Sequence, residues 1–235
     1  IMETFISAPF GNYIKPKNCI PVIGTFTRNP RGNRFLAVAK TLRYNRQLGG
    51  WTNRLGLPNP GFSAGIKKIK SNEILSVAQI EDNDFVLINS RIWSSQSVEV
   101  NLSCPNILEV GSWKDVKIFF RTPRDYCIAK VSPLISIEEI GYLMELGFTQ
   151  FHISNTLPIA AGGLSGPTLR PLNLKLIETI RKTFGDDMEI IAGGGIQHIG
   201  HATEYMNAGA NHISLGSVCF HPIKLWKLLG ALNGK

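Results

Sequence analysis

Apolar and polar positions alternate most clearly over Ser97 to Asn106, SVEVNLSCPN. Val98 and Val100 fall on one face, Glu99 and Asn101 on the other, a strand period built on β-branched residues. The strand stops at Cys104-Pro105, because proline lacks a ladder donor and biases its predecessor away from the helical region. Asn101, Ser103, Cys104 and Asn106 crowd this end. Buried amides must find partners, so these side chains either tie down the turn or hold a ligand.

Read along the whole chain, the pattern predicts strands at 19–26, 84–92, 97–104, 126–132, 148–155, 188–195 and 212–218. Helices are predicted at 62–76, 107–121, 136–147, 171–184, 197–208 and 222–234. Residues 35–44 fit both periods, and their alanine and leucine content favours helix. Ser136 opens its helix with Glu138 and Glu139 in the first turn, where carboxylates favour the dipole. The segments 47–61 and 156–170, rich in glycine, read as loops. Only WSSQ separates the strands at 84–92 and 97–104, too little for a crossover helix. Strand–helix alternation implies a parallel sheet. Eight strands, or seven if 35–44 is helical, fit an α/β fold of the (β/α)8 TIM-barrel type, a single domain over residues 1–235 with some abbreviated helices. A doubly wound open sheet is the alternative, but no G-x-G-x-x-G opens an early helix.

Composition changes this picture little. The 235 residues are 43% hydrophobic and 18% charged, ordinary for a globular protein. The formal charge of +8 comes without aromatic–basic interleaving, so no nucleic-acid partner is expected; attraction of small anions and phosphates is compatible with it. The four cysteines are widely spaced, without metal or secreted-scaffold spacing, which points to reduced thiols in a cytoplasmic setting. No apolar run reaches about 18 residues, so no membrane helix is expected. His198 and His201 are three apart on a helix, but no third ligand shows, and no metal is expected.

In a barrel the C-terminal strand ends share one rim. Here those ends bring Gly24, Asn101 to Asn106, Lys130, Asn155 with Thr156, Gly193 to Gly195, and Gly216 with Ser217. Lys130 sits inside an apolar strand, where lysine is rarely buried without a partner; it either snorkels to solvent or presents a fixed cation to a ligand. Glycines at the last two strand ends suit phosphate, whose oxygens backbone N–H groups can surround. Cys104 reads either as an inert thiol or as a base or nucleophile. His152 reads as a core residue.

These residues resemble the dihydroorotate dehydrogenase family. NLSCPN at 101–106, the lysine of IAKVSP, SNT at 154–156, GGLSGP at 162–167, AGGGI at 192–196 and LGS at 215–217 match that family's motifs in order, and NRLGLPNPG at 53–61 matches its loop closing over substrate. The resemblance covers about residues 19–230. It implies an FMN-containing barrel that oxidises dihydroorotate to orotate in pyrimidine biosynthesis. Cys104 would be the base at C5, as in the soluble class, with hydride passing from C6 to flavin N5. Asn53, Gly56, Leu57, Asn101, Asn106, Asn155 and Thr156 would hold substrate. Lys130 would be the cation beside the flavin, with Gly24, Asn101, Gly166, Gly194, Gly195, Gly216 and Ser217 completing the cofactor site. The electron acceptor stays open among fumarate, NAD through a partner subunit, and oxygen; soluble members are commonly homodimers. The loop from Thr156 to Gly162 is shorter than in the family, and the position before Gly24, usually small, is Ile23. Lys40 matches a second family lysine at altered spacing. A flavin barrel acting on another reduced pyrimidine or a small enone, or a non-catalytic homologue, are the alternative readings.

Overall fold

The computed structural model describes residues 2–102 and 113–234. In chain order the elements are β1 (Thr4–Ile6), β2 (Ile20–Phe26), α1 (Arg34–Thr41), β3 (Arg43–Asn45), β4 (Gly50–Asn53), α2 (Phe62–Ile66), β5 (Ile74–Val77), α3 (Asp84–Asn89) and β6 (Val98–Asn101). A 3₁₀ segment at Trp113–Arg121 leads to β7 (Cys127–Val131), α4 (Ile137–Leu146), β8 (Gln150–Ile153), β9 (Leu157–Ile159) and β10 (Gly162–Ser165). Then come α5 (Arg170–Phe184), β11 (Glu189–Gly193), α6 (Ile199–Asn207), β12 (His212–Leu215) and α7 (Pro222–Leu232). Among the described residues, eight strands close a barrel in the order β1-β12-β11-β8-β7-β6-β5-β2, with parallel pairing throughout. This is the expected (β/α)8 class.

Several local expectations hold for stated reasons. The helix from Ser136 carries a full capping box: Glu139 N–H donates to Ser136 Oγ at 3.2 Å, and Ser136 N–H donates to Glu139 Oε2 at 2.8 Å. Of residues 35–44, the part up to Thr41 is helix α1, opened by Asn33, whose side chain accepts from Leu36 N–H, while Arg43 and Tyr44 belong to β3.

Other boundaries are corrected. Residues 84–92 are not a strand but α3. Asp84, Phe85 and Ile88 are buried while Val86 and Leu87 are exposed, a helical stripe; a short apolar run carries no period that separates the two states. Asp84 Oδ2 accepts the N–H groups of Ile80 and Glu81 at 3.0 and 2.9 Å, fixing the entry. The strand of this unit is ILSV at β5, which the expected helix over 62–76 had absorbed; that helix stops at Ile66. The crossover helix missing between 84–92 and 97–104 is therefore α3 itself. The barrel's remaining strand is β1, three residues too short to show a period. The segments read as loops are not structureless: 47–61 holds β4 and 156–170 holds β9 and β10, and with β3 these form an antiparallel sheet in the order β3-β4-β10-β9. Of the helix expected at 107–121, the described part is the 3₁₀ segment.

Two apolar layers sandwich the barrel wall. Val98, Val100, Ala129, Val131, Phe151, Ile153 and Ile213 face the helices. Inside, Phe5, Val22, Ile74, Ile128 and Ile191 plug the barrel. The pairing register sets Ser76 beside Glu99, Asn101 beside Lys130, and Lys130 beside His152 on that inward face. The polar face of the SVEVN alternation is thus the barrel interior, on the side toward the C-terminal strand ends.

Candidate active site

A cavity of about 390 Å³ opens over the C-terminal strand ends, within the range of small-molecule and cofactor sites. Of the residues singled out in the sequence, Asn53, Leu57, Asn101, Lys130, Asn155, Thr156, Gly166, Gly194, Gly216 and Ser217 line it. Gly24, Gly56 and Gly195 lie off its wall. Cys104 and Asn106 lie outside the described residues. Lys40 is exposed on α1 and does not line the cavity.

Three asparagines converge on it. Asn155 Nδ2 donates to Asn101 Oδ1 at 3.2 Å, and Asn155 Oδ1 accepts the Thr156 N–H at 2.9 Å. Asn101 Nδ2 reaches Thr25 Oγ1 at 3.4 Å. Asn53 belongs to the small sheet: its Nδ2 donates to Gly163 O at 3.3 Å and its Oδ1 accepts from Leu55 N–H. Packing 110 positions apart in sequence thus brings the 53–61 loop over the strand ends. That loop is tied down from below. Asn59 Oδ1 accepts from Thr27 N–H and Gly61 N–H, Arg31 Nε donates to Gly56 O, and Arg34 Nε donates to Pro58 O at 3.1 Å.

The glycine ends are shaped by their neighbours. At Gly194, with φ of +91°, a Cβ would stand 2.6 Å from Asn173 Nδ2. That amide itself donates to Gly193 O at 2.8 Å, so it cannot retreat freely. At Gly195, with φ of +76°, a Cβ would stand 2.7 Å from Pro167 Cα. Gly195 therefore lets β11 abut the GGLSGP turn, which brings Gly166 to the cavity beside Gly194.

Lys130 is 5% exposed, so it does not snorkel. Its Nζ lies 3.6 Å from Glu99 Oε1. Glu99, fully buried, also accepts from Ser76 Oγ at 2.8 Å and meets His152 Nδ1 at 2.6 Å. Burial pushes the Glu99 carboxyl up, but Lys130, then His152 and the hydrogen bonds from His152 and Ser76, outweigh it and bring it down to about 2. Burial holds the His152 imidazole below its ordinary range, against the opposing pull of Glu99. His152 is therefore neutral, with Nδ1–H donating to Glu99.

Both shifts make the protein acid-sensitive. The unfolded chain takes a proton on His152 below about pH 6.5 and on Glu99 below about pH 4.3, whereas the folded chain resists both. Stability is complete above these values and is lost as pH falls, on Glu99's account until about pH 2. The urea midpoint should fall from pH 7 to pH 5, and His152→Asn should flatten that limb. Parallel profiles for the two proteins would show that His152 is not held neutral.

Sequence reasoning missed Thr25, Arg34 and Ser154 in the cavity wall, and Glu99 beneath it. Thr25 and Ser154 directly follow and precede flagged residues and were within reach of the strand-end logic. Arg34 reaches the cavity only through α1, which no local pattern places there.

A family model described as Dihydroorotate dehydrogenase matches residues 129–227. Over 195 residues the chain is 30% identical to the protein named dihydroorotate dehydrogenase B (NAD(+)), catalytic subunit, of Thermotoga maritima, covering 72% of each chain. The chain belongs to the dihydroorotate dehydrogenase family. A similarly named protein of Listeria welshimeri is 30% identical over 233 residues, covering 83% of this chain and 73% of its own. Among solved structures, DHODH from Eimeria tenella in complex with ferulenol matches with a TM-score of 0.77 at 17% identity, covering 98% of this chain and 81% of that one. That likeness speaks to the barrel alone; family membership rests on the sequence matches. The family's members are oxidoreductases, and here the polar residues gather at the C-terminal rim, where TIM-barrel enzymes carry their chemistry.

Proposed function

We propose that this protein oxidises dihydroorotate to orotate in pyrimidine biosynthesis, using FMN. The observation that carries this reading is the convergence of a buried cation, Lys130, three asparagine amides and the glycine ends of β11 and β12 on one cavity. The donor set fits the cofactor. Lys130 and Asn101 would hold its ring system, while Gly166, Gly194, Gly216 and Ser217 would hold its phosphate, where small residues leave backbone N–H groups accessible. FMN, when bound, supplies the two-electron acceptor for the substrate's hydride.

The chain's own residues do the rest. Asn53, Asn101 and Asn155, with Thr156, bind and orient a planar substrate rich in amide groups and a carboxylate. The Asn155–Asn101 hydrogen bond and the bonds of Asn53 to Gly163 and Leu55 fix the side chains before substrate arrives, which limits the reorganisation needed at reaction. Leu57 and the tied 53–61 loop exclude water from one side. Cys104, three positions after the end of β6, takes the proton from C5 of the substrate. Lys130 stabilises negative charge that develops on the cofactor side. The relatives' names specify NAD(+) and a catalytic subunit, which makes NAD(+), reached through a second subunit, the first acceptor to test. Among the described residues no helix is long and apolar enough to cross a membrane.

The purified protein, reconstituted with FMN, should be yellow and should bleach anaerobically on addition of dihydroorotate. A protein that cannot be reconstituted overturns the cofactor reading. A yellow protein that bleaches with another reduced pyrimidine or a small enone, and not with dihydroorotate, overturns the substrate reading alone.

A further inference from the structure

Below the cavity lies a polar layer that the proposed reaction leaves without a task. Glu99 is fully buried on β6, between Ser76 on β5 and Lys130 on β7. His152 on β8 is fully buried as well, and its Nε2 has no hydrogen-bond partner among the described residues. Apolar side chains of similar volume would serve stability at least as well as a buried ion pair with such satellites. The layer directly beneath shows that the barrel can be filled that way, with Phe5, Val22, Ile74, Ile128 and Ile191. A charge cluster here calls for a reason other than filling space.

The geometry supplies one. The ammonium of Lys130 stands 3.6 Å from Glu99 Oε1, close enough for attraction and too far for a short hydrogen bond. It is held toward the floor of the cavity while its protons remain available to whatever lies above. Glu99 is itself immobilised, by Ser76 on one oxygen and His152 on the other. Burial disfavours the charged form of His152, which fixes the carboxylate through its ring Nδ1. Among the described residues, the titratable groups that face Lys130 from the strands packed against β7 are Glu99 on β6 and His152 on β8.

We propose that Glu99, clamped by Ser76 and His152, is a positioning residue that anchors the charged Lys130 side chain under the cofactor. The proposal rests on the reading of Lys130 as the cation beside bound FMN.

The test is the midpoint potential of the FMN-loaded protein at pH 7. Lys130→Met should lower it, because a cation at the flavin favours the negative charge gained on reduction. The same substitution made in a Glu99→Gln background should shift the potential by less than about half as much, because the ammonium is no longer anchored there. In a Glu99→Asp background, which keeps the charge, the shift should stay near its original size. A Lys130→Met shift of equal size in the wild-type and Glu99→Gln backgrounds overturns the anchoring role and leaves the flavin reading intact. A Lys130→Met potential identical to wild type, or a protein that takes up no FMN, overturns both. Should Glu99→Gln fail to fold, the double variant Glu99→Gln/Lys130→Met decides. Its recovery shows that Glu99 is there for Lys130, and its failure assigns Glu99 to the fold alone.

Discussion

Replacing Cys104 with alanine should slow the bleaching of the FMN-loaded protein by dihydroorotate by roughly 10²–10⁴-fold, the contribution of a positioned general base. The reaction takes a proton from carbon, which water in a closed site accepts poorly, so no other group readily substitutes. FMN affinity and the affinity for orotate should change little, because the asparagines and glycine ends proposed to bind them are untouched. Stopped-flow reduction under anaerobic conditions measures the rate, and titration of the flavin spectrum measures the affinities. Cys104→Ser separates two roles: a hydroxyl keeps the hydrogen-bonding shape but has a far higher pKa, so it should restore part of the rate and demand a higher pH. An unchanged rate in Cys104→Ala would remove the thiol from the mechanism and return attention to the amides and Lys130.

Much of the site was legible because its residues break local rules. A lysine inside IAKVS and polar or glycine residues at the strand ends are odd for a barrel wall, and Asn101, Lys130, Asn155, Thr156, Gly194, Gly216 and Ser217 line the cavity, whereas Asn53, Leu57 and Gly166 were legible only through the family resemblance. The barrel was legible through repeated local signals, above all the capping box at Ser136 and the VEVN alternation. What was hidden depends on pairing across the chain. Strand β1 has three residues and gains its identity only between β12 and β2. The segment DFVLIN carries enough branched apolar residues to look like a buried strand, and the burial of Asp84, Phe85 and Ile88 shows its helical face only after packing. The small sheet joins Asn53 to Gly163, and neither flanking sequence contains that information. Its consequence is functional, since it sets Asn53 and Leu57 over the strand ends.

Glu99 belongs to the same class of hidden feature. Alternation assigned it to the face opposite the valines, which for a half-exposed strand would be solvent. In a closed barrel that face is the interior, and only closure reveals a carboxylate with no access to water. Glu99→Ala should therefore destabilise the protein by about 3–5 kcal/mol, the loss for breaking a buried pair by removing one partner. The ammonium of Lys130 would be left without its counter-charge, and Ser76 Oγ and His152 Nδ1 without their acceptor. A surface carboxylate such as Glu178 gives the contrast. It is exposed on α5 away from the helix's first turn, and its replacement by alanine should fall within about 0.5 kcal/mol. Urea unfolding at pH 7 compares the two. The acid limb offers a further check. With Glu99 gone, the part of the stability loss below about pH 4.3 that comes from this carboxylate disappears, so the difference between wild type and Glu99→Ala should narrow as pH falls. A constant difference down to about pH 3 would mean that the two states titrate alike at this position, and that the carboxylate is not held ionised by Lys130, His152 and Ser76.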